Sequence, residues 1–354
     1  MENKNIKILV IVLISLIVVL GILLAVKFIA DKKVEPQNNT VGMQEEENMV
    51  DIPTAKPKTI KTYSGVDRPI AVMIDNHKSA WPQAGINEAY IVYEIIVEGG
   101  ETRLMALFKG QNLAKIGPIR SSRHYFLDYA LENDAIYVHY GWSPQAQSDI
   151  SSLKVNNING ISESSKDFWR VKDKSAPHNA VTSTNNILNM AKRKGYRTTS
   201  SDKSILKYTT EEVNLNQAQD AYKVTIPYST SNEVMYKYNQ DTKKYERYSK
   251  NKQQVEWDTN EIISTKNIII TFAANYTLND SENKGRQGLK NIGTCEGYYI
   301  TNGKAIKITC TKNSRTSKTI YKDIAGNEIE INDGNTFIQI CPVDAKVLID
   351  ANII

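Results

Sequence analysis

The sequence predicts an α+β or α/β domain over residues 67–200 and a mainly β domain over residues 221–354, behind one N-terminal transmembrane helix. Three observations predict this. The nineteen residues from Ile8 to Val26 carry no charge. Short apolar runs alternate with amphipathic stretches as far as Arg197, and beyond Asp220 strand-like runs are separated by turn sequences.

A helix rises about 1.5 Å per residue, so the Ile8 to Val26 run reaches across a hydrocarbon core of about 30 Å. Its Ile, Leu and Val side chains suit that solvent. Lys4 and Lys7 precede it and Lys27, Lys32 and Lys33 follow, so loop charge gives orientation little weight. The length of the C-terminal part places the bulk of the chain outside the cytoplasm, with residues 1–7 as a cytoplasmic stub and 8–26 as the anchor. No pair of small residues in Leu24 to Ala30 makes a good cleavage site, so the anchor is expected to stay uncleaved. The cysteines, Cys295, Cys310 and Cys341, all lie far from this run, so no N-terminal lipid is expected. Residues 27–66 read as a polar tether, with Pro36, Pro53, Pro57 and the acidic run Glu45, Glu46, Glu47.

The net charge of +5 is spread over 354 residues. Without a basic stripe interleaved with aromatics, nucleic acid is not an expected partner. Three cysteines allow at most one internal bridge, so the fold is not expected to be built on disulfides.

In the first domain, Ile70 to Ile74, Tyr90 to Val97, Leu104 to Phe108 and Ala135 to Tyr140 read as buried strands. Ser121 to Asn133 reads as a helix capped by its serines. Thr182 to Lys194 reads as a second helix, with Lys192, Arg193 and Lys194 in its last turn and Gly195 beyond. Gly99-Gly100 reads as a tight hairpin, since no Gly-Lys-Ser/Thr follows it. Residues 201–220 form a joint. Eight short strands are then expected between Tyr222 and Ile340, with turns at Asn302-Gly303, Gly326-Asn327 and Asp333-Gly334, a pattern of sandwiches or barrels.

The chemistry concentrates in the first domain, which holds all four histidines, His77, His124, His139 and His178. Asp75 and His77 end a strand, and Glu94 lies inside the next. By alternation Glu94 and Glu98 share a face, about 13 Å apart, too far for a glycosidase carboxylate pair at roughly 5 to 9.5 Å. The Gly117-Pro118 turn delivers Arg120, Ser121, Ser122 and Arg123 to the expected helix start, where unpaired N–H groups and arginine forks suit an anion. Arg103 is a further ligand-binding candidate. The competing reading pairs Arg120 or Arg123 with Asp75, Glu94 or Glu98 in an internal ionic network. No metal-ligand spacing and no G-x-S-x-G elbow is present, so neither a metal nor another cofactor is expected.

The strings RPIAVMIDN (Arg68 to Asn76), AYIVYEIIVEGGETR (Ala89 to Arg103), IGPIRSSR (Ile116 to Arg123) and APHN (Ala176 to Asn179) closely resemble the YerB-like lipoprotein family, which carries domain of unknown function 3048. Tyr245-Glu246-Arg247-Tyr248, Asn267 to Ile270 and Asp333 to Ile338 are similar to the family's C-terminal module. The resemblance implies a two-domain envelope protein held at the outer face of a membrane, and it supplies no reaction. A helix would replace the lipid anchor of the lipoprotein members.

Two functions are therefore expected to compete. In the first, the protein binds an anionic cell-wall polymer or an envelope partner protein through Arg103, Arg120, Ser121, Ser122 and Arg123. In the second, it is a hydrolase or transferase of an envelope polymer, with Asp75, His77, Glu94 or His178 as catalytic groups.

Overall fold

The computed structural model describes residues 58–215 and 218–352. The stub, the expected anchor and most of the tether lie outside the described residues. Among the described residues no helix is long and apolar enough to cross a membrane.

The first module contributes strands β1 (Ile70–Asp75), β2 (Ile91–Ile96) and β3 (Thr102–Phe108), helix α1 (Phe126–Glu132), β4 (Ile136–His139), helix α2 (Pro144–Ser152), β5 (Asn157–Asn159) and helix α3 (Thr184–Arg193). The second contributes β6 (Lys223–Ser229), β7 (Asn232–Asn239), β8 (Lys244–Ser249), β9 (Asn267–Thr277), β10 (Gly293–Thr301), β11 (Lys304–Lys312), β12 (Ile320–Asp323), β13 (Thr336–Pro342) and β14 (Leu348–Asp350). The fold is mixed and sheet-rich with few helices, and its C-terminal part is mainly β.

One large sheet runs β12-β11-β10-β9-β13-β2-β3-β1-β4-β5, so both modules contribute to it. At the join β13 lies parallel to β9 on one side and to β2 on the other, with Thr336 opposite both Asn267 and Ile91. A smaller sheet runs β8-β7-β6-β14.

Every residue of β1, β2 and β3 is buried, as their mainly apolar sequences require of strands covered on both faces. Alternation sends Val72, Ile74, Val92 and Phe337 to one face, where they meet Ile226 and Tyr236 of the small sheet and Ile187 of α3. It sends Met73, Tyr93, Leu107 and Ile338 to the other, against Phe126 of α1 and Ile150 of α2. Two buried layers result, with the large sheet between them.

Helix α3 forms as expected, with the Ser183 hydroxyl accepting from Asn186 N at 3.2 Å and Gly195 beyond it at φ 69°. The Glu98–Gly100 turn joins β2 to β3 with Gly99 at φ 72° and Gly100 at φ 74°, which glycine adopts freely.

Two expectations are corrected, and one helix is added. The helix expected at Ser121 begins only at Phe126, with no side-chain cap. The preceding segment pairs instead as extended chain, Arg120 N donating to Met73 O at 2.9 Å and Ser122 N to Gly141 O at 2.9 Å. Those two N–H groups are already engaged, and the helix N-terminus lies further along, at Phe126. Glu98 falls outside β2, in the turn, and strand alternation does not relate it to Glu94. Helix α2 was not expected, although Ser143 caps it by accepting from Ala146 N at 3.2 Å and Pro144 opens it.

Candidate functional site

The loop leaving β1, the strap of residues 116–123 and the loop before residue 180 meet at the end of β1. Each contains a cis X-Pro bond, at Trp81-Pro82, Gly117-Pro118 and Ala176-Pro177. Asp75 N donates to Pro118 O at 2.8 Å, and Ile74 bridges to Ile119, which fixes the strap beside the strand. The third loop is held by Asn179, whose amide donates to Val171 O and Lys174 O, both at 3.1 Å.

Asp75 is the centre of this convergence. Its carboxylate is buried, accepts from His77 N at 3.1 Å, lies 2.8 Å from His178 Nδ1 and forms an ion pair with Arg120 Nε at 3.5 Å. The His77 and His178 rings stack with centroids 4.6 Å apart. Burial first, and then the neighbouring His178, lower the His77 pKa from its usual value. His77 Nδ1 accepts from Ser79 N at 3.2 Å. Among the described residues, the Nε2 atoms of both histidines and the terminal nitrogens of Arg120 have no hydrogen-bond partner. Asp75 thus aims one cationic fork and one imidazole past itself, and all three outer side chains are partly exposed.

Asn76 links this group to the interior. Its Nδ2 donates to Thr102 Oγ1 at 2.8 Å and Glu94 Oε1 at 3.1 Å, and its Oδ1 accepts from Gln83 Nε2 at 3.0 Å and Trp81 Nε1 at 3.3 Å. Glu94 is sealed in the core, with no exposure, against Arg247 Nη2 at 2.8 Å. Arg247 stands on the inward face of β8 between Tyr245 and Ser249. A charged residue at an inward position of an alternating strand was the sequence signal for this pair.

The other arginines are engaged. Glu98 bonds Arg123 Nε at 2.9 Å and Arg103 Nη2 at 3.2 Å, while Arg103 Nη1 also donates to Ser121 O at 2.5 Å. The Ser122 hydroxyl is buried and accepts from Tyr137 at 2.8 Å, and the Ser121 hydroxyl donates to Tyr140 O at 3.0 Å. Arg103, Ser122 and Arg123 therefore belong to an internal network, and Arg120 is the arginine of the set that faces outward. His139, buried between Gly141 O at 2.8 Å and Asn157 Oδ1 at 3.2 Å, is lowered to about 4 by burial.

Acid should loosen this network. Burial pushes the Glu98 carboxyl up, but the Arg123 hydrogen bond and the charges of Arg103 and Arg123 hold it lower, at about 2 against a usual 4.5. Its folded-state pKa lies below the unfolded one, so the stabilisation is whole above about 4.5 and is lost as pH falls toward 2. Allowing for partial exposure, about 2 kcal/mol should disappear. Urea unfolding of wild type and Glu98→Gln at about pH 6 and about pH 3 checks this: their difference should shrink in acid.

The molecule is thus a β-rich two-module protein whose polar cluster is assembled by loops of the first module and backed by the second. The description "Protein of unknown function (DUF3048) N-terminal domain" matches residues 54–197, and the corresponding C-terminal domain matches residues 224–338. The YerB protein of Bacillus subtilis (strain 168), whose name carries a provisional lipoprotein assignment, is 30% identical over 286 residues, covering 78% of this chain and 81% of that protein. A crystal structure of YerB from Bacillus subtilis superposes with a TM-score of 0.72 at 30% identity, over 80% of this chain and 94% of the other. The chain belongs to the YerB-like family defined by these two domains.

Proposed function

We propose that this is a membrane-anchored extracytoplasmic envelope protein that binds an anionic group of a cell-wall polymer or a partner protein at Arg120, His77 and His178. The lipoprotein assignment in the relative's name supports the location, and the charge-free run at 8–26 supplies an anchor. The observation that carries the binding role is the outward presentation of Arg120 and His178 by a buried Asp75. A guanidinium fixed through Nε keeps its terminal nitrogens for a carboxylate or phosphate.

Replacing Arg120 by Ala should weaken binding of solubilised cell-wall fragments by about 10- to 100-fold, the worth of a charge-assisted pair, in a protein that stays folded. Titration calorimetry or fluorescence would measure it. Unchanged affinity would remove the site. The 2.8 Å contact of Asp75 with His178 Nδ1 favours a second reading, in which His178 is the general base of a hydrolase or transferase. That reading requires turnover of the fragments that is lost in a folded His178→Ala protein.

A further inference from the structure

A second cluster of reactive side chains lies on β10 and β11, away from the arginine and histidine residues. These strands form an unbroken antiparallel ladder closed by the Asn302-Gly303 turn, and its register sets Cys295 directly opposite Cys310. Cys310 belongs to the buried layer that contains Ile308 and Tyr321 and Cys295 packs against that layer, whereas Cys341 belongs to the layer on the opposite face. Hydrogen-bonded pairs recur at every second position from Thr301 and Lys304, which makes Cys295 and Cys310 such a pair. Their Cα atoms are then about 5.5 Å apart, inside the span that a disulfide bridges.

The environment of the two sulfurs differs. Cys295 is partly exposed, its sulfur lying 2.8 Å from Thr271 Oγ1 and 3.7 Å from the Cys310 carbonyl oxygen. Cys310 is buried. Both line a cavity of about 60 Å³ together with Tyr129, Thr271, Lys312 and Tyr321. Hydrogen bonds from Cys310 and Thr271 outweigh burial and lower the Cys295 thiol to about 6, while the Cys310 thiol is pushed up by its bond to Cys295 and by burial.

We propose that Cys295 and Cys310 are a thiol-modification site that forms a reversible disulfide across β10 and β11 by exchange with a small-molecule disulfide. The Cys295 thiolate attacks the reagent, forming a mixed disulfide and releasing one thiol. Cys310 then gives up its proton and attacks the Cys295 sulfur, and the second reagent thiol leaves. The protein loses two electrons and two protons, which the reagent takes up as it becomes two thiols. A directly opposed pair in a hydrogen-bonded position holds its Cβ atoms farther apart than a relaxed bridge prefers, so the bond is readily reversed. The extracytoplasmic location proposed above would supply oxidants, but the chemistry is testable without it.

The reduced full chain is incubated natively with oxidised glutathione, quenched with acid, denatured and alkylated, and its peptides are mapped by mass. The expected result is alkylation of Cys341 alone and a peptide joining Cys295 to Cys310, reversed by dithiothreitol. Cys310→Ser should stop at a glutathione adduct on Cys295, and Cys295→Ser should leave Cys310 unmodified. Three alkylated cysteines, or a wild-type protein that stops at the glutathione adduct, would overturn the proposal. The wild-type map decides the matter even if neither variant folds.

Discussion

Replacing Arg247 by Ala is expected to lower the free energy of unfolding by about 3–5 kcal/mol, the cost of leaving a buried charge without its partner. Arg247 Nη2 sits 2.8 Å from Glu94 Oε2, with side-chain exposures of 2% and 0%. After the substitution Glu94 keeps only neutral donors, Thr102 Oγ1 at 2.7 Å and Asn76 Nδ2 at 3.1 Å. Those cannot offset the desolvation of a carboxylate. The pair itself is not fully satisfied, because Arg247 Nε is buried without a partner among the described residues. Replacing both members together, Glu94→Leu with Arg247→Met, should therefore recover most of the loss. Equilibrium urea unfolding of the two variants measures the contrast. Equal losses in both would mean that the side chains contribute through their shape.

The second large effect is expected at Glu132, whose replacement by Ala should also cost about 3–5 kcal/mol. One carboxylate oxygen accepts from Tyr93 Oη at 2.7 Å. The other accepts from Lys312 Nζ at 2.7 Å and from Thr319 through its backbone N at 3.1 Å and its hydroxyl at 2.6 Å. Side-chain exposures are 0% for Glu132 and 3% for Lys312. Truncation would leave an ammonium in the core with the Ser317 carbonyl as its remaining hydrogen-bond acceptor and the Tyr129 ring 5.6 Å away. Glu132→Gln keeps the shape and should be milder. Thermal unfolding of both against wild type tests this ranking, and a Gln variant as damaged as Ala would show that the charge carries the whole effect.

These two pairs explain which parts of the molecule were legible in the sequence. Strands β1 to β3 were readable because their sequences are mainly apolar, and α3 because Ser183 and Gly195 mark its ends. The partners of the charges were not readable, since Glu94 and Arg247 are 153 positions apart and Asp75 and His178 are 103 apart. The sequence placed Arg120 and Arg123 in one turn with equal claims. Only the folded strap separates them, because it brings Glu98 to Arg123 and Asp75 to Arg120. Local pattern also suggested a helix at Ser121, and the pairing of Arg120 N with Met73 O overrode it.

The position of β13 sets the timetable of assembly. Ribosomes deliver the chain from its N-terminus, so β2 emerges long before residues 336–342, the strand that pairs with its open side from Ile91 to Ile95. During that interval the nascent first half carries an apolar edge ready to pair with any other strand, and chaperone cover is the ordinary remedy for such exposure. A translation arrest or a premature stop before Thr336 would release a polypeptide whose main sheet cannot close, which makes the last part of the message decisive for the first.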